Sequence, residues 1–301
     1  MSEDRQEKDL TATFLGKKVD VVSAYCPDFL VPIRRELNRN LYDINSDCLP
    51  FEGFDVWHCY EFSVLTENGA PVTRVLKLRY SAQSDYIVES KSLKLYLNSY
   101  NMSKFGKNEK ECLDICLNQI KNDLGKALQT EIEASFLNIN THKKEIFKNY
   151  TNLTDLINPD KLQILEFNES PRLLQILDCN KVNEYYLRFD SLRSNCKVTH
   201  QPDFGDLFLY YKSRKMILPD SLIKYLVSFR CEYHFHEECC EMIYKRLHDI
   251  LDKEDELFVA ILYTRRGGID ITPVRYSKNL KFDLFKDLID VKTFARFGIK
   301  Q

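Results

Sequence analysis

The segment Ser194-Asn195-Cys196-Lys197-Val198-Thr199-His200-Gln201-Pro202-Asp203-Phe204-Gly205 sets a thiol and a carboxyl group seven residues apart across a turn marked by Pro202 and Gly205. A thiolate adds to an electrophilic carbon, and a nearby acid collects the charge that develops on the adjoining atom. Most cysteines of a cytosolic protein are small buried hydrophobes. Asn195, Lys197, Thr199, His200 and Gln201 are polar, however, and make poor company for a core strand. Lys197 or a nearby histidine is expected to lower the thiol pKa from its usual ~8.5. Asp203 reads either as a turn aspartate accepting backbone N–H groups or as the acid. In the second role its pKa is expected to be raised by burial and by a neighbouring thiolate.

A second stretch, Val88-Glu89-Ser90-Lys91-Ser92-Leu93-Lys94-Leu95-Tyr96, puts a carboxylate acceptor beside hydroxyls and cations. It suits an anion site, although Lys91 and Lys94 also fit a solvated strand edge. In Tyr263-Thr264-Arg265-Arg266-Gly267-Gly268 the glycines allow close backbone approach while a guanidinium forks a phosphate. These features together suggest a covalent enzyme with an anionic cofactor. His234-Phe235-His236-Glu237-Glu238-Cys239-Cys240 contains zinc-ligand types, but not at the spacing of the familiar closed sites. No metal is expected. His236 and Glu237 fall where a helix begins, presenting an imidazole and a carboxylate to a pocket. Glu237 also fits a first-turn residue that complements the helix dipole.

The elements that must hold these groups are partly readable. Val56 to Leu65 and Val72 to Tyr80 read as strands around Asn68-Gly69, whose two residues accept positive φ. Ile87 to Tyr96 is expected to continue the sheet. Cys112, Cys116, Ile120, Leu124 and Leu128 recur at helical spacing, giving a helix over Asn108 to Gln129, and Ile132 to Phe136 alternates as a strand. Thr141 to Asp190 is irregular and reads as a connection. Beyond it the pattern returns, with strands at Asp206–Lys212, Leu257–Thr264 and Ile269–Tyr276. Helices are expected at Ser221–Phe229 and Glu237–Leu251, the second with an apolar stripe of Cys239, Ile243, Leu247, Ile250 and Leu251. Strands with helices, appearing twice, indicate an α+β fold in tandem. We divide the chain into a module over 1–150, a connection over 151–185 and a module over 186–301. No Gly-x-Gly-x-x-Gly follows a strand, so a nicotinamide cofactor would not sit in a Rossmann domain.

Its 301 residues, 44% hydrophobic and 29% charged, suit a folded protein with a sizeable core. A net charge of −2 gives no reason to expect nucleic acid or a membrane surface as partner. The polar stretch Met1 to Asp9 lacks an export signal, and ten cysteines form no disulfide framework. A cytoplasmic protein with reduced thiols is expected.

Taken in order, several blocks resemble the two-module form of the NADPH-dependent 7-cyano-7-deazaguanine reductases, the nitrile reductases of queuosine biosynthesis. They are Leu49-Pro50-Phe51 with Asp55-Val56-Trp57, Val88 to Ser99, Ser194-Asn195-Cys196, Thr199 to Asp203, Leu226 to Arg230, Phe235-His236-Glu237 and Tyr263 to Asp270. Phe204 stands where the family usually shows Trp, and Cys231-Glu232-Tyr233-His234 departs from the family's run. The resemblance implies two tandem tunnelling-fold modules, a homodimer, and a purine-like ring bound between modules. It implies that Cys196 forms a thioimide with the nitrile carbon, that Asp203 donates a proton and that His236 lies by the reacting group. Val88, Glu89, Ser90 and Glu237 would line the substrate. Ser90, Lys91, Arg266 and Gly267 would meet NADPH, with the 2′-phosphate left open between Arg265 and Arg266. Two other readings remain: a zinc hydrolase using His234, Cys239 and Cys240, and a catalytically silent deazapurine binder.

Overall fold

The computed structural model describes residues 24–281, 283, 285–298 and 300. The polar stretch 1–9 lies outside them. The first half runs β1 (Pro32–Arg34), α1 (Glu36–Leu41), β2 (Glu52–Leu65), β3 (Pro71–Ser81), β4 (Tyr86–Val88), α2 (Ser90–Asn98), α3 (Glu109–Leu128) and β5 (Ile132–Leu137). Two short strands, β6 (Lys143–Glu145) and β7 (Thr151–Asn152), precede the long β8 (Ile176–Cys196) and β9 (Pro202–Ile217). Then come α4 (Pro219–Val227), β10 (Tyr233–His234), α5 (His236–Ile250), β11 (Glu256–Tyr263), β12 (Ile269–Tyr276), α6 (Lys286–Ile289) and β13 (Phe294–Arg296). The architecture is mixed α+β, and β8 starts inside the segment read as the connection.

One nine-stranded sheet runs β10-β8-β9-β11-β12-β2-β3-β5, with β7 added alongside β8. Its central seam is the antiparallel pairing of β12 with β2, Ile271 opposite Trp57 and Asp270 opposite His58. The helices cover one face in two groups. Leu222, Leu226, Ile243 and Leu247 of α4 and α5 pack over the second half's strands, while Leu93, Cys116, Ile120 and Leu124 of α2 and α3 pack over the first. Phe258, Val274, Phe285 and Ile289 build a third cluster on the opposite face. Burial on both faces explains why β11, Glu-Leu-Phe-Val-Ala-Ile-Leu-Tyr, is apolar almost throughout rather than alternating. Among the described residues no helix is long and apolar enough to cross a membrane.

Local signals account for most boundaries. Asn108 caps α3 by accepting from the Glu111 N–H, and Cys112, Cys116, Ile120, Leu124 and Leu128 are its buried stripe. Two expectations need correction. Ile87 to Tyr96 does not continue the sheet: β4 ends at Val88 and pairs only with β1. The Glu89 carboxylate accepts from the N–H groups of Lys91 (3.0 Å) and Ser92 (2.6 Å), which starts α2. Leu93, Tyr96 and Leu97 then bury the helix face. At the first hairpin only Gly69 takes positive φ (88°). Thr66 and Ala70 close a longer loop instead of a two-residue turn, Thr66 N–H donating to the Ala70 carbonyl at 2.9 Å.

Beneath the seam lies a fully buried charge network. Asp55 of β2 accepts from Arg35 (2.5 Å) and Arg275 (2.8 Å). Glu241 of α5 accepts from Arg275 (2.9 Å) and, through both oxygens, from Arg39 of α1 (2.8 Å each). Burial raises the Glu241 pKa, but Arg275, Arg39 and Arg35 outweigh it and hold the group at about 2. Four elements from both halves are thereby tied at one point. Arg275→Met is expected to lower stability by about 3–5 kcal/mol, because the carboxylates lose their shared partner without regaining water. The urea unfolding midpoint measures this.

Candidate active site

Cys196 is the last residue of β8, and its position is fixed from both sides. The turn to β9 closes with the Cys196 N–H on the Gln201 carbonyl (2.8 Å) and the His200 N–H on the Cys196 carbonyl (2.9 Å). His200 takes φ 56° there. Neighbouring Asn195 donates through its side chain to the Arg230 (3.0 Å) and Glu232 (3.2 Å) carbonyls. β10 runs parallel to the end of β8, with His234 beside Cys196. The run Cys231 to His234 thus splints the strand end that carries Cys196. His234 Nε2 lies 3.1 Å from the Tyr42 hydroxyl and 3.2 Å from Glu232. Burial lowers the His234 pKa, but Glu232 and Glu238 outweigh it and raise it above the usual histidine value. Lys197 directs its ammonium to Glu238 at 3.8 Å, away from the service of the thiol that its position suggested.

Asp203 sits in register with Ser194, so it shares a strand face with Cys196 two residues on. It is buried. One oxygen pairs with the Arg266 guanidinium and the other lies 3.4 Å from His236 Nε2. The His236 ring packs on Tyr263 with centroids 3.9 Å apart. Burial pushes the Asp203 carboxyl up, as the sequence suggested, but His236 and Arg266 outweigh it and the net direction is down. This corrects the expectation of a raised pKa: the resting group is a carboxylate.

A narrow cavity of about 20 Å³ joins these groups to the other half of the chain, bringing Cys196, Asp203, His236 and Glu237 together with Val88 and Ser90. Such a space holds roughly one water. Glu237 enters as the second residue of α5 and is fully buried, with no hydrogen-bond partner for its Oε1 among the described residues. Burial, then the charge of Asp55, pushes its pKa up to about 8 against the opposing pull of Arg35 and Arg275. Trp57, Phe235 and Ile271 also line the cavity and were not singled out as site residues. Their signal is the seam itself, since Trp57 and Ile271 are cross-strand partners. Glu89 is buried between Val88 and Ser90, which line the space, but its two oxygens are engaged as the α2 cap.

The basic groups gather at the same place. Lys94 of α2 donates to the Gly267 carbonyl and lies 3.6 Å from Glu61. Gly267 (φ 56°) and Gly268 (φ 81°) hold backbone conformations that side chains resist, and a Cβ on Gly268 would strike the Glu61 carboxyl. The two arginines diverge. Arg266 reaches Asp203 and the Gln201 side chain (2.9 Å), whereas Arg265 lies 3.5 Å over the Tyr60 ring. Lys91 follows Ser90 in the first turn of α2. The donor set and the glycine cradle fit an anionic dinucleotide.

Cys239 and Cys240 point into the core. Burial pushes the Cys239 thiol up to about 12 and Cys240 higher still, as for small hydrophobes of the core. Among the described residues no three His, Cys, Asp or Glu side chains are grouped to hold a metal ion.

A half-buried thiol, a carboxylate held by imidazole and guanidinium, and a buried carboxyl face one cavity, the set of groups that nucleophilic enzyme chemistry requires. A family profile described as nitrile reductase, 7-cyano-7-deazaguanine-reductase N-term, matches residues 21–136, and one described as QueF-like protein matches residues 202–281. The chain is 36% identical over 280 residues to the NADPH-dependent 7-cyano-7-deazaguanine reductase of Colwellia psychrerythraea, spanning 92% of this chain and 96% of that one. The reductase of the same name from Rickettsia felis is 37% identical over 269 residues, 89% of this chain and 94% of its own. That from Buchnera aphidicola is 36% identical over 252 residues, 84% and 93% respectively. The chain belongs to the NADPH-dependent 7-cyano-7-deazaguanine reductase family.

The state of Glu237 makes a pH prediction. Its folded pKa is raised, so the stabilisation of the neutral form is fully present below the ordinary carboxyl value and is lost as pH rises to about 8. Glu237→Gln removes that dependence. From pH 5 to 8 the wild type should lose stability relative to the variant by on the order of 1.4 kcal/mol per pH unit. Paired urea titrations across that range measure the difference.

Proposed function

We propose that this chain catalyses the NADPH-dependent, four-electron reduction of the nitrile of 7-cyano-7-deazaguanine to 7-aminomethyl-7-deazaguanine, a step of tRNA queuosine biosynthesis. The observation that carries this reading is the meeting of Cys196, Asp203, His236 and Glu237 at one cavity, in a chain of that family. A silent binder has no use for a thiol beside a buried carboxylate.

The chemistry starts from the resting charge of Asp203. As a carboxylate it accepts the Cys196 thiol proton, and the thiolate sulfur bonds to the nitrile carbon while one C–N π bond breaks. Asp203 then passes the same proton to nitrogen. The product is a neutral thioimide; the elements of S–H have added and no electrons have changed hands. NADPH, when bound, supplies the two hydrides that take this carbon to the imine and then the amine, the Cys196 sulfur leaving between them. Each hydride needs one matching proton, and His236 is placed to reload Asp203. Glu237 accepts from ring N–H groups. Val88 and Ser90 bound the ring, and Glu89 sets the rim that holds them. Ser90, Lys91, Arg266 and Gly267 would hold the cofactor. Arg266 would be able to turn from Asp203 to an anionic group of the cofactor, leaving Asp203 with one positive neighbour fewer.

We also infer two tandem tunnelling-fold modules, over 1–150 and 186–301, with 151–185 connecting them. The order β2-β3-α2-α3-β5 followed by β8-β9-α4-α5-β11-β12 supports this. A homodimer is supported by β5, which ends the sheet with an open edge among the described residues. A cytoplasmic location is supported by the ten cysteines, and the near-neutral charge supports a small-molecule partner in place of nucleic acid or membrane.

Mixing protein, nitrile and NADPH should oxidise two cofactors per nitrile consumed. Cys196→Ala should abolish both turnover and the mass increase of a covalent adduct, and an adduct that survives it rejects the nucleophile. Asp203→Asn should cut kcat by about 10²–10⁴ with much smaller loss of binding. Equal loss of both would make Asp203 structural.

A further inference from the structure

Trp57 is the chain's single tryptophan and is fully buried in β2, with no acceptor for its indole N–H among the described residues. It lines the cavity that Cys196 and Asp203 share, and so does Glu237, whose Oε1 is equally without a partner. Buried polar atoms are nearly always paired, so a donor and an acceptor left open around one small cavity ask for a common explanation. The cavity's size suits one water bridging them, which a ligand would displace.

We propose that Trp57 is a specificity-determining residue: its indole N–H donates to the ring carbonyl of the bound base while Glu237 accepts from the adjoining ring N–H. The inference rests on the proposed function and adds to it the reason one base is chosen. A lactam edge, carbonyl beside N–H, meets both groups. The corresponding amino-substituted ring, 7-cyano-7-deazaadenine, presents the inverse pattern of N–H₂ beside a bare ring nitrogen. Glu237 alone does not reject it, because a carboxyl that gains a proton near neutral pH donates as well as accepts. The indole N–H only donates. It would face the amino group with no acceptor between them, and leaving buried polar groups unpaired is the strongest form of rejection available to a site.

Protein carrying ¹⁵N-labelled indole gives one indole N–H resonance, with no assignment needed. Addition of 7-cyano-7-deazaguanine should move its proton downfield, as expected of an N–H newly bonded to a carbonyl. Trp57→Phe keeps most of the bulk and removes the N–H. It should raise KM for the nitrile about tenfold with kcat within about twofold, and narrow the preference over 7-cyano-7-deazaadenine by a similar factor. A resonance that stays in place while calorimetry records binding overturns the proposal, as does a Trp57→Phe enzyme with unchanged KM and preference. A wild type that neither binds the nitrile nor oxidises NADPH fails earlier, and takes the proposed function down with it.

Discussion

Everything at the site depends on a charge imbalance buried under the seam of the sheet. Arg35, Arg39 and Arg275 bring three positive charges, while Asp55 and Glu241 bring two negative ones. Isolated charges in such a place are prohibitively costly, and paired ones are tolerated only when every lone pair and N–H is used. The arginines meet this demand with backbone carbonyls too, Arg39 reaching Ala82 (2.7 Å) and Arg275 reaching Phe54 (3.2 Å) and Val274 (3.0 Å). The network therefore fixes α1, β2, β12 and α5 relative to one another, and α5 delivers His236 and Glu237. It also leaves one positive charge over. That surplus lies next to a carboxyl which burial keeps neutral, so a ligand offering N–H groups to Glu237 is helped towards the ionised partner it needs.

A second imbalance controls Asp203. Asp203 is held as a carboxylate by the imidazole and the guanidinium, and its resting state is a base. The side chain responsible, Arg266, is 39% exposed and hangs from a turn of two glycines. A deeply buried carboxylate whose counter-charge sits at the surface is a group whose proton affinity depends on what else binds at the mouth. Cys196 has no comparable freedom, because Asn195, the Gln201 turn and β10 clamp its strand from three directions.

The α3 stripe of Cys112, Cys116, Ile120, Leu124 and Leu128 was legible in the sequence, since helical periodicity is local and its cap, Asn108, immediately precedes it. Ile87 to Tyr96 misled, because a short run after two strands cannot be told from a helix start until Glu89 is seen accepting from the amides ahead of it. Cys196, Asp203 and His236 were found as residue types in suggestive company. The charge of Asp203 was not, as it depends on Arg266, 63 residues away. Trp57 escaped notice as a site residue for a related reason: a strand residue's face means nothing until its neighbour across the sheet is known.

The β2–β12 pairing also fixes when the site comes into existence. His58 and Asp270 are 212 residues apart in the chain, so their pairing closes a very large loop, and that entropy must be met before the contact returns anything. The two helix-covered halves are built largely from nearer contacts and can take shape first. During synthesis β2 leaves the ribosome with one edge unsatisfied and waits for its partner, which lies 212 residues on at the His58–Asp270 pair. The cavity lies on this last seam. Catalytic competence is thus an all-or-none property of the finished chain: a truncated or stalled polypeptide presents an open, apolar strand edge suited to aggregation, and none of the chemistry.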